Sequence, residues 1–338
     1  MSTLVLRTLL PAILFTSLAF GANYFLLGHL VKSGGAALLS SQCPPNPGPY
    51  SVRYVGIGSI DGLLCILVAF FQSSFDPTTF PFAADFLASW SGPVALTFIE
   101  AARSGRSTVL AFPAVLGLFY QTRGAGFTFP LFWLALILSG HTRLDRGSAR
   151  IDQARAEAAL FAVLGGFVLP SVLMLILQDP VVTAAWQFFP AWMWALQATH
   201  LFIRPSSRHH TSGYWTVQAT FIFTFITSAI SHVAAIGATQ DLGLLRDLYV
   251  PPIAPPDPAT TTLQLATHVF LQWDAIFTLG SSLFGTLWFA GNTKEAALIA
   301  LWDVIATVVV GPGAAVSGVL LWREWTLNGA PEDVSKKE

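Results

Sequence analysis

The stretch QLATHVFLQWDAIFTLGSSLFGTLWF, from Gln264 to Phe289, decides how this chain folds. Its length of about 26 residues suffices for a helix that crosses a lipid bilayer with some tilt. Only His268 and Asp274 are ionisable within it. A carboxyl group at that depth in hydrocarbon is costly, so we expect Asp274 to face the protein interior and to have a function there.

Aromatic residues follow Asp274 at helical spacing. Phe277, Ser281, Phe284 and Trp288 fall on one face of the predicted helix together with Asp274. The sequence therefore predicts a carboxyl group at one end of a row of aromatic side chains on the same face of the helix.

The composition is that of a membrane protein. Of the 338 residues, 54% are hydrophobic and only 10% are charged, whereas soluble domains carry roughly 25% charged residues. The formal net charge of −1 gives no reason to expect nucleic acid as a partner, and it leaves protein partners open. Aromatic residues make up 13% of the chain, which exceeds the need of the interfacial belts alone.

Ten apolar stretches predict an all-α polytopic transmembrane helix bundle of about eight to ten spans, because two of the stretches are short. They are Leu4 to Leu27, Val55 to Phe71, Phe86 to Ala102, Val109 to Tyr120, Phe127 to Leu138, Ala158 to Leu177, Val181 to Ile203, Tyr214 to Ile236, Gln264 to Phe289 and Ala297 to Leu321. The first is read as a retained span, with a cleaved signal peptide as the alternative. No repeat is visible, so residues 1–338 predict one domain.

The connecting segments indicate sidedness. Arginine-rich loops at His141 to Arg155 and Arg204 to Ser212 predict a common cytoplasmic side. The proline-rich loop 237–262 predicts a cover over one mouth of the bundle, and residues 324–338 form a polar tail. Cys43 and Cys65 predict neither a disulfide framework nor a metal cluster.

Four acids fall within or at the margins of spans, namely Asp61, Glu100, Asp274 and Asp303. A medium of low dielectric constant favours the protonated carboxyl group, which is what a general acid requires. Glu100 has Arg103 three residues later, so an ion pair is the alternative role for it. For the other acids the alternative is a hydrogen bond to a neighbouring helix.

Two histidines, His232 and His268, also lie within spans. Such a residue more often bonds to a neighbouring helix than acts in catalysis, but both are candidates to contact a substrate. The chain has no HExxH and no aspartate-rich motif for a magnesium-held diphosphate, so we predict no bound metal and no required cofactor. A divalent ion such as Mg²⁺ among the carboxylates stays open. Gly124, Gly126 and the run from Gly311 to Gly313 predict close helix approach rather than a phosphate loop.

A buried acid beside many rings suits the protonation of an alkene or epoxide in an apolar substrate. The carbocation that follows is stabilised by aromatic faces in a dry cavity, and a second carboxylate or a histidine takes the final proton. A proton-coupled transporter of an apolar metabolite is the alternative, because proton relays also use intramembrane acids. Inverted symmetry between two halves would favour the transporter, and none is visible.

Four groups of motifs, in this order, resemble those of the fungal integral membrane terpene cyclases of meroterpenoid biosynthesis, in particular the ascofuranone and ascochlorin cyclase branch. They are Phe98-Ile99-Glu100-Ala101-Ala102-Arg103, Phe129-Pro130-Leu131-Phe132-Trp133, Tyr249-Val250-Pro251-Pro252 before Phe270-Leu271-Gln272-Trp273-Asp274, and Gly311-Pro312-Gly313-Ala314 ending in Trp322-Arg323-Glu324. The similarity extends over most of the chain from about Val55.

The resemblance implies a proton-initiated cyclisation of a farnesyl or epoxyfarnesyl chain attached to an aromatic or polyketide head group, in the endoplasmic reticulum membrane. It implies that Asp274 and Glu100 are the catalytic carboxyls, with Asp61 and Asp303 as supporting candidates. We expect the substrate to contact Trp273, Phe277, Phe284, Trp288, His232 and His268.

Overall fold

The computed structural model describes residues 5–46, 48–238 and 241–329, and helices account for its regular structure. The described ranges contain no strand, only an isolated β-bridge between Asp152 and Ser212. The predicted all-α helical bundle is therefore confirmed. We label the longer helices α1 to α14: Val5–Lys32, Gly35–Ser41, Gly58–Ser73, Phe80–Ala102, Pro113–Arg123, Ala125–Leu138, Gln153–Leu177, Pro180–Trp186, Phe189–Ile203, Tyr214–Gly237, Leu242–Tyr249, Leu263–Thr286, Thr293–Val309 and Pro312–Glu324.

Four of these helices, α1, α4, α7 and α10, are long and apolar enough to cross a membrane, and α3 and α6 are shorter apolar helices. The stretch Val181 to Ile203, predicted as one span, forms two helices, α8 and α9. The break has a local cause, since Pro190, in the first turn of α9, has no N–H to donate to the carbonyl oxygen of Trp186 four residues earlier, and its ring clashes with that carbonyl in a continuous helix.

Helix α4 lies at the centre of the bundle and packs on α10 and α14. Glycines at the beginning of α14 allow it to pack closely on both α10 and α4. At Gly311, where φ is +91°, a Cβ atom would lie 2.6 Å from the His232 ring, and at Gly313 it would lie 2.4 Å from the carbonyl oxygen of Ser89. The prediction that these glycines let helices approach closely is confirmed.

One end of the bundle, which we call the arginine end, contains a buried network of four charges. Arg103 Nε donates to Glu100 Oε1 at 2.8 Å, and Arg323 Nη1 donates to the same oxygen at 2.7 Å. Arg103 also donates to Glu324. All four side chains are at most 3% exposed. The ion pair of Glu100 with Arg103, one of its two predicted roles, is thus present.

The two basic loops meet at this same end. Arg150 donates to the backbone carbonyl oxygen of His210 at 2.7 Å, and the bridge between Asp152 and Ser212 joins the segments just beyond. Both loops therefore lie on one side of the molecule, as their charge predicts.

Cys43 and Cys65 form a disulfide bond, so the prediction that these residues form no disulfide framework is wrong. The bond joins the loop after α2 to the middle of α3, 22 residues further along. Sequence gives no sign of it because the pairing depends on how α3 folds back. Helix α3 in turn packs near the beginning of α12, where Ser73 Oγ lies 3.0 Å from Thr267 Oγ1. We call this the disulfide end.

The proline-rich segment lies at the disulfide end and includes α11, which the sequence did not predict. Gln272 Nε2 donates to the backbone carbonyl oxygens of Asp247 and Leu248 at 2.8 and 3.0 Å. Trp273 Nε1 donates to the carbonyl oxygen of Pro252 at 3.3 Å. The first residues of the predicted polar tail are helical, and residues 330–338 lie outside the described residues.

Candidate active site

Asp85, near the beginning of α4, is the centre of a buried polar cluster. Its Oδ2 atom lies 2.8 Å from Nδ1 of His232 on α10 and accepts a hydrogen bond from the Tyr249 hydroxyl at 2.8 Å. Its Oδ1 atom has a longer contact of 3.4 Å from the hydroxyl of Ser89, one turn along α4. The Asp85 residue is only 3% exposed. One carboxyl oxygen thus has two close partners, and the other has only a long contact.

The residues around this cluster fix its geometry. Ser89 Oγ lies 3.1 Å from Ser228 Oγ, which ties α4 to α10. Gly311 packs directly on the His232 ring, as described above, and leaves it little room to rotate. Tyr249 is the last residue of α11, and the bonds from Gln272 to the preceding carbonyls hold it over the cluster.

The cluster borders a cavity of about 320 Å³. This volume falls near the lower end of the range for small-molecule sites. Apart from the polar residues at one end and Thr307, the wall is apolar, and it includes the rings of Phe82 and Phe86. The lining residues are Phe82, Asp85, Phe86, Ser89, His232, Tyr249, Gln272, Ala275, Ile276, Leu279, Gly280, Leu283, Thr307 and Pro312.

The charged groups around the cluster are few. No lysine or arginine lines the cavity. Burial, followed by the negative charge of Asp85, raises the pKa of Tyr249 above its ordinary value, so its hydroxyl keeps its proton and donates. Donors on Oδ2 stabilise the carboxylate that remains after a proton leaves Oδ1. A carboxyl group in this setting can act as a general acid.

Of the residues predicted to contact substrate, the structure brings His232 into this site, and His268 lies next to it. His268 occupies α12 one turn before Gln272, and its ring meets the edge of Phe82 at 5.3 Å between centroids. Both histidines are thus close to the cavity, although only His232 lines it.

Asp274, the predicted acid, lies elsewhere. Its Oδ1 accepts a hydrogen bond of 2.6 Å from the backbone N–H of Gly126, in the first turn of α6. Gly124, where φ is +88°, leaves just enough space, since a Cβ atom there would lie 3.0 Å from Asp274 Oδ1. This geometry is that of a helix cap supplied by a neighbouring helix.

The predicted stripe of rings is distributed over several environments. Trp273 stacks on Phe25 of α1 with 4.1 Å between ring centroids. Phe277 packs against α1, Phe284 is 47% exposed, and Trp288 Nε1 donates to the backbone carbonyl of Leu6 at 3.0 Å. The rings do not line the cavity at Asp85, because the cavity touches the other side of α12.

The remaining predicted acids occupy three different settings. Asp61 lies in the first turn of α3, which begins three residues after the predicted span, and accepts hydrogen bonds from the backbone N–H groups of Val55 and Gly56 at 2.7 and 3.0 Å. Glu100 belongs to the arginine end. Asp303 on α13 is buried, and its Oδ2 accepts from Thr286 at 2.9 Å while Oδ1 has no partner in the described part of the chain.

Asp85 and Tyr249 were not among the site residues predicted from the sequence. Asp85 fell one residue outside the predicted span, which began at Phe86, whereas α4 begins at Phe80. The signal was present, because Asp85 and Ser89 are four residues apart on a helix without a nearby cation. Tyr249 stands in a motif that carried the resemblance, but its partner is 164 residues away.

Among the residues that the structure describes, no group of three histidine, cysteine or acidic side chains is placed to hold a metal ion. The prediction that the protein needs no metal or cofactor stays a prediction.

The chain matches the model of the CtvD domain over residues 7–327. It is 25% identical over 327 residues to terpene cyclase ascI of Acremonium egyptiacum, covering 85% of this chain and 84% of that protein. It is 22% identical over 299 residues to terpene cyclase atmA of Aspergillus flavus, covering 77% and 80%.

A third relative, the FAD-dependent monooxygenase verC1 of Penicillium polonicum, is 24% identical over 352 residues. The alignment covers 93% of this chain but only 41% of that longer protein. No solved structure matches the chain. The resemblance to fungal terpene cyclases of meroterpenoid biosynthesis is confirmed, and the match over nearly the whole length shows that the chain belongs to the CtvD-domain family.

Proposed function

We propose that this protein is a membrane-bound terpene cyclase that protonates a farnesyl or epoxyfarnesyl chain to start ring closure. The observation that carries the proposal is the cavity of about 320 Å³ with the cluster of Asp85, His232 and Tyr249 at one end and apolar walls beyond it. Similarity to two fungal terpene cyclases supports the reaction class.

Asp85 supplies the proton in this mechanism. The proton leaves Oδ1 for the epoxide oxygen or the alkene carbon of the terminal isoprene unit, and the carboxylate that remains is stabilised by His232 Nδ1–H and Tyr249 O–H on Oδ2. General acid catalysis of this kind contributes about 10²- to 10⁴-fold to a rate.

Aromatic side chains in the cavity wall stabilise the carbocation during ring closure. The internal double bonds attack the cation in turn, and each attack forms one carbon–carbon bond while the charge moves along the chain. Phe82 and Phe86 line the cavity, and their faces stabilise positive charge more strongly where water is excluded.

The reaction ends when the last cation loses a proton to a basic group. The product is then an isomer of the substrate, with no change of oxidation state, so the reaction needs no redox cofactor. The Asp85 carboxylate left by the first step is the acceptor we propose, and this proton restores the acid for the next turnover. Asp274 and Glu100 are assigned to helix capping and to the ion network, because neither lines the cavity and each carboxyl group is bonded to those parts of the fold.

The proposed setting is the endoplasmic reticulum membrane, in a pathway of secondary metabolism. Four helices with the length and apolarity of membrane spans support the membrane location. The lipid bilayer delivers the substrate in this account, because a prenylated molecule partitions into hydrocarbon.

Microsomes from cells that express the protein test the proposal. They are incubated with epoxyfarnesyl and farnesyl phenols, beside microsomes from cells without it, and the products are analysed by mass spectrometry and NMR. A cyclised product of unchanged mass is expected. If every substrate returned unchanged while vesicles took it up in response to a pH gradient, the protein would be a proton-coupled transporter instead.

A further inference from the structure

The cavity wall along α12 contains a glycine whose presence helix packing does not explain. A Cβ atom at Gly280 would have no heavy atom within 4 Å, whereas at Gly285 on the same helix it would lie 2.2 Å from Trp133. Glycine weakens a helix interior relative to alanine, so Gly285 is required by packing and Gly280 is not. The space in front of Gly280 belongs to the cavity.

Gly280 lies well away from the polar cluster. Gln272 lines the cavity next to Tyr249, and Gly280 lies eight residues further along α12, roughly 12 Å at the helical rise. If the terminal isoprene unit is at Asp85, Gly280 therefore lies beside the other end of the prenyl chain, where the head group is attached.

The opposite wall at this depth is Thr307 of α13. Helices α12 and α13 are joined by residues 287–292, and Asp303, in the middle of α13, accepts a hydrogen bond from Thr286 at the end of α12. Thr307 is one helical turn further along α13 and lines the same cavity as Gly280. Its hydroxyl is buried and has no partner among the described residues, so it is available to an oxygen atom of a ligand.

The two helices also leave a lateral gap. Helix α13 packs mainly on α14 and on the turn that follows α12, rather than along α12 itself. Ile276, which lines the cavity one turn before Gly280, is 43% exposed. In a membrane this gap opens toward the lipid.

We propose that Gly280 and Thr307 form a neck through which the head group of the substrate extends into the bilayer while the prenyl chain stays inside. The inference rests on the proposed cyclase function and adds the position of the head group. The bond between the prenyl chain and the head group fits through this neck only because residue 280 has no side chain. Thr307 donates its hydroxyl to the oxygen atom on the head group next to that bond.

The test compares Gly280→Leu with Gly62→Leu, since Gly62 is also a helical glycine whose Cβ would meet nothing within 4 Å and it does not line the cavity. Both variants are assayed with an epoxyfarnesyl phenol and with epoxyfarnesol, which has no ring as head group. We expect Gly280→Leu to lower kcat/KM for the phenol about tenfold or more relative to epoxyfarnesol. Gly62→Leu should change neither.

A second variant, Thr307→Val, is expected to raise KM for the phenol and to leave kcat nearly unchanged. Equal effects of Gly280→Leu on both substrates, or none, would overturn the neck while leaving the cyclase intact. A wild-type protein that cyclises neither substrate would instead overturn the proposed function, so the two failures are distinct.

Discussion

Nδ1 of His232 lies 2.8 Å from Oδ2 of Asp85, although 147 residues separate them in the chain. The contact joins α4 to α10 inside the bundle, and Gly311 packs against the histidine ring. A carboxyl group at the border of an apolar cavity, with two close partners on one oxygen and only a long contact on the other, is placed to act as a proton donor. The other acids of the bundle are held differently, and this difference leads to separate predictions.

Tyr249 is predicted to assist Asp85 through its hydroxyl. Tyr249→Phe keeps the ring and removes one hydrogen bond to the carboxylate, so we expect kcat to fall about tenfold or more. Tyr54→Phe is the matched control, because that hydroxyl bonds to the backbone of Tyr50 outside the cavity. Because burial raises the pKa of Tyr249, the wild-type rate should show no inflection from this group below about pH 10. An unchanged kcat in Tyr249→Phe would contradict the assigned role.

Asp274→Asn is predicted to affect folding more than chemistry. The asparagine still offers an oxygen to the backbone N–H of Gly126 but puts an NH₂ group in place of the second carboxyl oxygen, so we expect a loss of about 1 kcal/mol in stability. Thermal unfolding of the detergent-solubilised protein measures it, beside turnover. A folded Asp274→Asn protein without cyclase activity would instead establish Asp274 as the acid, as the sequence predicts.

The charge network at the arginine end is predicted to be structural. Glu324→Gln removes one carboxylate from a fully buried set and leaves Arg103 with unbalanced charge, so we expect a loss of about 3 to 5 kcal/mol in stability. Glu295→Gln, at a partly exposed residue that keeps an oxygen to accept from the backbone N–H of Gly291, is the control and should change stability little. Equal melting temperatures for the two variants would contradict the prediction.

The disulfide is predicted to place one end of the bundle in an oxidising compartment. Disulfides persist in the lumen of the endoplasmic reticulum, and the arginine-rich loops favour the cytoplasmic side. Cys43→Ser should lower stability by about 3 kcal/mol, since the bond closes a loop of 22 residues. Maleimide labelling of intact microsomes before and after reduction measures the redox state. Two free thiols in the native protein would contradict the prediction.

Sequence patterns recovered the features that depend on neighbours along the chain. Apolar runs gave the helices, arginine-rich loops gave a shared side, and the spacing of Glu100 and Arg103 gave an ion pair. The glycines near Asp274 and at Gly311 were correctly predicted as sites of close approach, because only a residue without a side chain lets neighbouring atoms come so near to the backbone.

The candidate site was predicted only in part, because its members come from distant helices. His232 was identified, but its partner Asp85 lies at the beginning of a helix that the apolar pattern placed six residues too late. Asp274 was favoured because it is an acid in the middle of an apolar stretch. Its hydrogen bond to the beginning of α6 depends on tertiary packing, which periodicity does not reveal.

The most direct test of the account is the cyclisation rate of Asp85→Asn in microsomes, measured with epoxyfarnesyl and farnesyl phenols beside wild type and Asp274→Asn at matched expression. Asparagine can still accept hydrogen bonds from His232 and Tyr249, so the fold should persist while the proton is lost. The account predicts a fall of about 10²- to 10⁴-fold in turnover for Asp85→Asn and retained turnover for Asp274→Asn. Full activity in a folded Asp85→Asn protein would contradict it.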